Sequence, residues 1–117
     1  MAPHVLQSPV GLLQHAGARI VLIVSGGGSQ VIPKLLAEGG ASGIMLEALV
    51  PYARSAIREL LGSEPGTYCS DRTVRQMAVA GWQRSIKLSN EVTNSVGVAA
   101  TASLRTGNQK LGQHRIH

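Results

Sequence analysis

The sequence predicts an α/β domain, a layered α/β/α arrangement, on three observations. Five consecutive apolar residues, Ile20 to Val24, run straight into a Gly/Ser turn, Ser25-Gly26-Gly27-Gly28-Ser29. Val31, Ile32, Leu35 and Leu36 follow at helical spacing, so a buried strand passes into a helix through a tight connection. Two further apolar runs, residues 44–50 and 96–100, are separated by helical patterns. Strands alternating with helices build a layered sheet.

In chain order, residues 5–16 read as a helix, with Pro9 either interrupting it or marking its first turn. Residues 20–24 form the first strand. The helix after the glycine turn begins near Ser29 and runs to about Glu38, where Gly39-Gly40 stop it. Ile44 to Val50 is the second strand, with Glu47 its one charge and Pro51 its end. Glu47 reads equally as solvent-facing or as paired with an arginine. Ala53 to Leu61 is helical, closed by Gly62, and Pro65-Gly66 marks a turn. Ser70 is a good N-cap, with Asp71 in the first turn, for a helix to about Leu88. Its apolar stripe is Val74, Met77, Ala78, Gly81, Trp82 and Ile86. Val96 to Ala100 is the third strand, closed by Thr101-Ala102-Ser103; residues 105–113 are a polar loop, and His114 to His117 begin another strand.

Composition bounds the function. The chain of 117 residues has room for one domain, and 44% hydrophobic with 15% charged residues is a globular balance. Tyr52, Tyr68 and Trp82 are the only aromatics, so the core is built from Leu, Ile, Val and Ala. The net charge is +5, but the eleven Lys and Arg are spread along the chain without interleaved aromatics. That pattern argues against a nucleic-acid module and suits a small anionic ligand. The single Cys69 excludes an internal disulfide and fits a reducing compartment. No metal-ligand spacing surrounds Cys69, and His114 and His117 read as a polar strand edge; neither metal nor cofactor is expected. The longest apolar run is far short of the ~20 residues that span a bilayer, and the first residues lack a secretory pattern. A cytoplasmic protein without a membrane partner is expected.

The strand, Gly/Ser turn and helix start make an anion-binding corner, because first-turn amides point outward and the helix dipole adds positive charge. In open α/β sheets ligands gather outside the carboxyl ends of strands. If the strands are neighbours, Ser25, Ser29, Tyr52, Thr101 and Ser103 converge on one pocket.

Four segments in this order resemble the C-terminal domain of the CinA (competence/damage-inducible) family, whose members include nicotinamide mononucleotide amidohydrolases. Ser25-Gly26-Gly27-Gly28-Ser29 resembles the family's Ser-x-Thr-Gly-Gly turn. Leu46 to Tyr52, followed by Leu60-Leu61-Gly62, resembles its Gly-Gly-Val-Val-x-Tyr segment and trailing Leu-Gly. Cys69-Ser70 through Met77-Ala78 resembles its Ser-x-x-x-Ala-x-x-Met-Ala helix, and Gly97 to Thr101 its Gly-x-x-x-Thr-Gly strand end. Lys110-Leu111-Gly112 stands where the family has Lys-Pro-x-Gly. A divergent branch carrying Gly-Gly-Gly-Ser, Glu-Ala-Val-Val-Pro-Tyr, Thr-x-Ser-Leu and Gly-x-His-Arg is the nearest in pattern. The resemblance spans about residues 18–117 of a single domain.

What the resemblance implies is an α/β/α fold that hydrolyses the carboxamide of nicotinamide mononucleotide to the acid and ammonia. Ser25 takes the place of the nucleophile, Tyr52 of an active-site tyrosine, and Thr101 of a pocket hydroxyl; Ser29 is a second nucleophile by register. Gly26, Gly27, Gly28, Ser29, Ser103 and Arg115 fall in the substrate- and phosphate-binding set. The family's lysine, five residues after the tyrosine, falls on Ile57, which moves no proton. Two alternatives follow: a non-catalytic nucleotide-binding module associated with a nucleotidyltransferase, or an inactive remnant. The family fold also implies a further strand and helix after His117, so the sheet is expected to be incomplete at its C-terminal end. Such an edge and its apolar surface would suit a homo-oligomer.

Overall fold

The computed structural model describes residues 9–103 and 115–117. The elements are α1 (Pro9–His15), β1 (Arg19–Gly26), a 3₁₀ turn (Gly27–Gln30), α2 (Val31–Leu36), a second 3₁₀ turn (Ala41–Gly43), β2 (Met45–Leu49), α3 (Arg54–Leu61), α4 (Asp71–Ser89), β3 (Ser95–Ser103) and β4 (Arg115–Ile116). The expected helical residues 5–8, the loop 105–113 with Lys110-Leu111-Gly112, and His114 lie outside the described residues.

The sheet has the order β2-β1-β3-β4; β2, β1 and β3 are parallel and β4 is antiparallel to β3. Every residue from Ile20 to Val24 is buried. Side chains alternate along a strand, so Val21 and Ile23 face Met77 of α4 and Leu60 and Leu61 of α3. Ile20 faces the other way, toward Val10 of α1, Ala41 and Ile44, with Leu35 of α2 beside them. Helices cover both faces, which is why β1 reads as an unbroken apolar run. The chain is the layered α/β domain that its sequence predicts.

Two strands run further than local sequence suggests. β1 continues through Ser25 and Gly26, and β3 through Ser103, because Ser25 pairs with Thr101 and Gly26 with Ala102. The extension comes from a partner strand distant in sequence, which a local reading does not contain. The helix after β1 is correspondingly delayed: a 3₁₀ turn occupies Gly27–Gln30, and α2 has only six residues.

α4 begins as expected. Ser70 Oγ accepts the Thr73 amide at 3.2 Å and Asp71 opens the first turn. Its buried stripe differs from the apolar pattern: Thr73, Met77, Gly81 and Ser85 are buried, whereas Trp82 is 40% exposed. Small residues face the sheet because the helix lies close on β3. A Cβ on Gly97 would come within 2.1 Å of the Ala78 carbonyl oxygen and 2.3 Å of the Trp82 nitrogen. The buried Ser85 hydroxyl is satisfied by donating to the Arg19 carbonyl at 2.7 Å. Glu47 is paired rather than free: Arg84 Nε and Nη2 donate to its two oxygens at 2.8 and 3.1 Å.

Candidate functional site

The connection from β1 to β2 passes through α2 on one face, and that from β2 to β3 through α3 and α4 on the other. Strand addition therefore changes direction at β1, which lies between β2 and β3 with both parallel to it. In open α/β sheets ligands gather outside the carboxyl ends of the strands. Ser25 and Thr101 stand at that edge as in-register neighbours on β1 and β3. Partners in adjacent strands point to the same face, here the face covered by α4. Thr101 is buried and Ser25 half-buried, and the Thr101 hydroxyl lies 3.6 Å from Cys69 Sγ.

Gly26 follows with φ of 82°, and a Cβ there would lie 1.9 Å from the Ala102 carbonyl oxygen. Only glycine allows this turn against β3. Gly27 and Ser29 are exposed in the 3₁₀ turn, with Gly28 between them. Gln30 makes no side-chain cap, and six residues of α2 carry little dipole; the turn's amides, rather than a helix terminus, are what this corner offers. Ser103 and Arg115 are paired across β3 and β4. Tyr52 lies beyond the carboxyl end of β2, 84% exposed, and hydrogen-bonds to no described residue. The fold thus unites Ser25 and Thr101, sets Gly26 beside them, and leaves Tyr52 in solvent. Ile57, in α3, is 3% exposed.

One pair escapes sequence reasoning. His117 exchanges two backbone hydrogen bonds with Thr101, at 2.8 and 2.7 Å. Opposed residues of an antiparallel pair share a face, so the imidazole joins Ser25 and Thr101 under the start of α4. Its Nδ1 lies 2.6 Å from Asp71 Oδ1. A carboxylate only accepts, so Nδ1 donates and Nε2 of the neutral ring is left as an acceptor. Nε2 is buried and finds no hydrogen-bond partner among the described residues. In the sequence Asp71 is a helix-start residue and His117 a strand-edge residue, and no spacing rule links them.

The preceding loop is pinned separately. The Thr73 and Ser70 hydroxyls donate to the Thr67 carbonyl, and the Tyr68 hydroxyl donates to Glu64, which also accepts from Arg58 Nη1 at 3.1 Å. Hydrogen bonds from Tyr68 and then Arg58 hold the Glu64 carboxyl below its usual range, and the Glu64 contact raises the Tyr68 phenol. A phenol held protonated is a poor proton acceptor. A separate groove of about 480 Å³ lies between α3 and α4, lined by Leu60, Leu61, Arg72, Arg75 and Val79; it does not include Ser25 or Thr101.

Among the described residues no group of three or more His, Cys, Asp or Glu could hold a metal ion, and no helix is long and apolar enough to cross a membrane. No protein-family model matches the sequence, and no curated protein matches it.

Proposed function

We propose that the chain binds a pyridine mononucleotide at the carboxyl ends of β1 and β3 and hydrolyses its carboxamide to the acid and ammonia, in the manner of the CinA-like amidohydrolases it resembles. The observation that carries this reading is the in-register pair Ser25 and Thr101 at the carboxyl ends of β1 and β3. A hydroxyl there can attack a bound carbonyl, and the amides of the Gly27–Gln30 turn after β1 are candidate donors to a phosphate or an oxyanion. Such a reaction suits the cytoplasm, where pyridine nucleotides are handled and Cys69 stays reduced.

A second reading, binding without chemistry, is favoured by one observation. Ile57 is buried in α3 at the position the resemblance assigns to a lysine. Calorimetric titration with nicotinamide mononucleotide, run beside an ammonia-release assay, separates the two. Saturable binding that Gly26→Ala abolishes, with Ser25-dependent ammonia release, supports the amidohydrolase. Binding without release supports the module. Absence of binding refutes both.

A further inference from the structure

The proposed reaction needs a group to accept the nucleophile's proton, and Ile57 supplies none. We propose that His117, oriented by Asp71, is that proton acceptor, serving Ser25 through the Thr101 hydroxyl. The inference rests on the amidohydrolase reading.

Three observations converge. Ser25, Thr101 and His117 form one row across β1, β3 and the end of β4, all on the face beneath the start of α4. Asp71 Oδ1 at 2.6 Å from Nδ1 fixes the ring and leaves Nε2 as the accepting nitrogen. Nε2 is buried and has no partner among the described residues. A buried acceptor without a partner costs free energy, so its retention calls for a use. The spacing also fits a relay. Neighbouring strands set Ser25 and His117 about 10 Å apart at Cα, too far for a direct bond, and Thr101 fills the interval. Its hydroxyl, now against Cys69 Sγ, can rotate to donate to Nε2 while accepting from Ser25. Such bonds often tighten only with substrate bound.

The steps balance. Ser25 Oγ adds to the carboxamide carbon as its proton passes by way of Thr101 to Nε2. The tetrahedral adduct collapses, the carbon–nitrogen bond breaks, and Nε2 returns the proton to the nitrogen, which leaves as ammonia. Water then attacks the acyl ester, giving its proton to Nε2, and Nε2 reprotonates Ser25 as the acid departs. The Asp71 carboxylate steadies the imidazolium in both halves.

The test compares the full chain with His117→Gln, Thr101→Val, Asp71→Asn and, as a surface control, His15→Gln, each checked for native circular dichroism. Loss of kcat for nicotinamide mononucleotide by about 10²–10⁴-fold in His117→Gln, a comparable loss in Thr101→Val, and unchanged ligand affinity would support the assignment. Turnover within a few-fold of wild type in His117→Gln would overturn it while leaving the amidohydrolase reading intact. Should the wild-type chain release no ammonia, that reading fails, and p-nitrophenyl acetate then decides the inference. Acylation of Ser25, read by mass spectrometry, should depend on His117 and not on His15; acylation indifferent to His117 would overturn the assignment. Nitrogen-15 NMR gives a readout free of any substrate. The neutral His117 ring should carry its proton on Nδ1, and lose that preference in Asp71→Asn. A proton found on Nε2 would refute the proposal.

Discussion

Replacing Gly97 by alanine should destabilise the domain more than any other single added methyl in the α4–β3 contact. The new Cβ would meet the Ala78 carbonyl oxygen at 2.1 Å, the Trp82 nitrogen at 2.3 Å and the Gly81 carbonyl carbon at 2.9 Å. All three are backbone atoms in the middle of a 19-residue helix, so no rotamer change relieves the overlap. The helix must lift by roughly an ångström, and overpacking of this kind costs about 1–3 kcal/mol. The upper end applies here, because the obstruction is backbone on both sides. At ~3 kcal/mol, a domain of this size should lose on the order of 10 °C in Tm. Gly81→Ala is the internal contrast. Its Cβ would sit 3.3 Å from Ile23 Cδ1, the free end of a side chain, and 3.3 Å from the Val21 carbonyl oxygen. Relief is easier there, and alanine gains about 1 kcal/mol of helix propensity over glycine, so the net change should stay within about 1 kcal/mol. Urea titrations followed by far-UV circular dichroism, analysed with a common slope, measure both. A Gly97→Ala midpoint equal to wild type, or equal losses for both variants, would refute the close seating of α4 on β3. The consequence reaches the site, since the same helix carries Asp71 to His117.

Three further outcomes are expected. Glu47→Gln removes a two-pronged pair with Arg84, whose hydrogen bonds hold the Glu47 carboxyl below its usual range. With the folded value lowered, the stabilisation is complete above the unfolded carboxyl's pKa and fades as pH falls through the folded one. The variant should therefore lose about 0.5–1 kcal/mol at neutral pH, where partial exposure and salt weaken the pair, and match wild type in strong acid. Ser70→Ala leaves the Thr73 amide without its cap and should cost ~1 kcal/mol by chemical denaturation, with Asp71 less firmly placed. Ile57→Lys puts an ammonium where the side chain is 3% exposed. It should destabilise by ~3 kcal/mol or more without raising ammonia release.

The sequence by itself determined the layered architecture. Ile20 to Val24 demanded cover on both faces, Ser70 and Asp71 announced the long helix, and Gly62 closed α3 in the left-handed conformation that glycine favours. These features are legible because they are local: periodicity and capping act within a few residues. Tertiary structure decided what lay between distant segments. Ser25 and Gly26 became strand only by pairing with Thr101 and Ala102. The buried stripe of α4 became Thr73, Met77, Gly81 and Ser85 because the helix approaches β3 too closely for large residues. Glu47 found Arg84 across a helix–sheet contact, and Asp71 found His117 from 46 positions away. Hydrophobic patterning says which face is buried, but not which partner's polar atoms will be waiting there, since strand order and register are set by the packing of the whole chain.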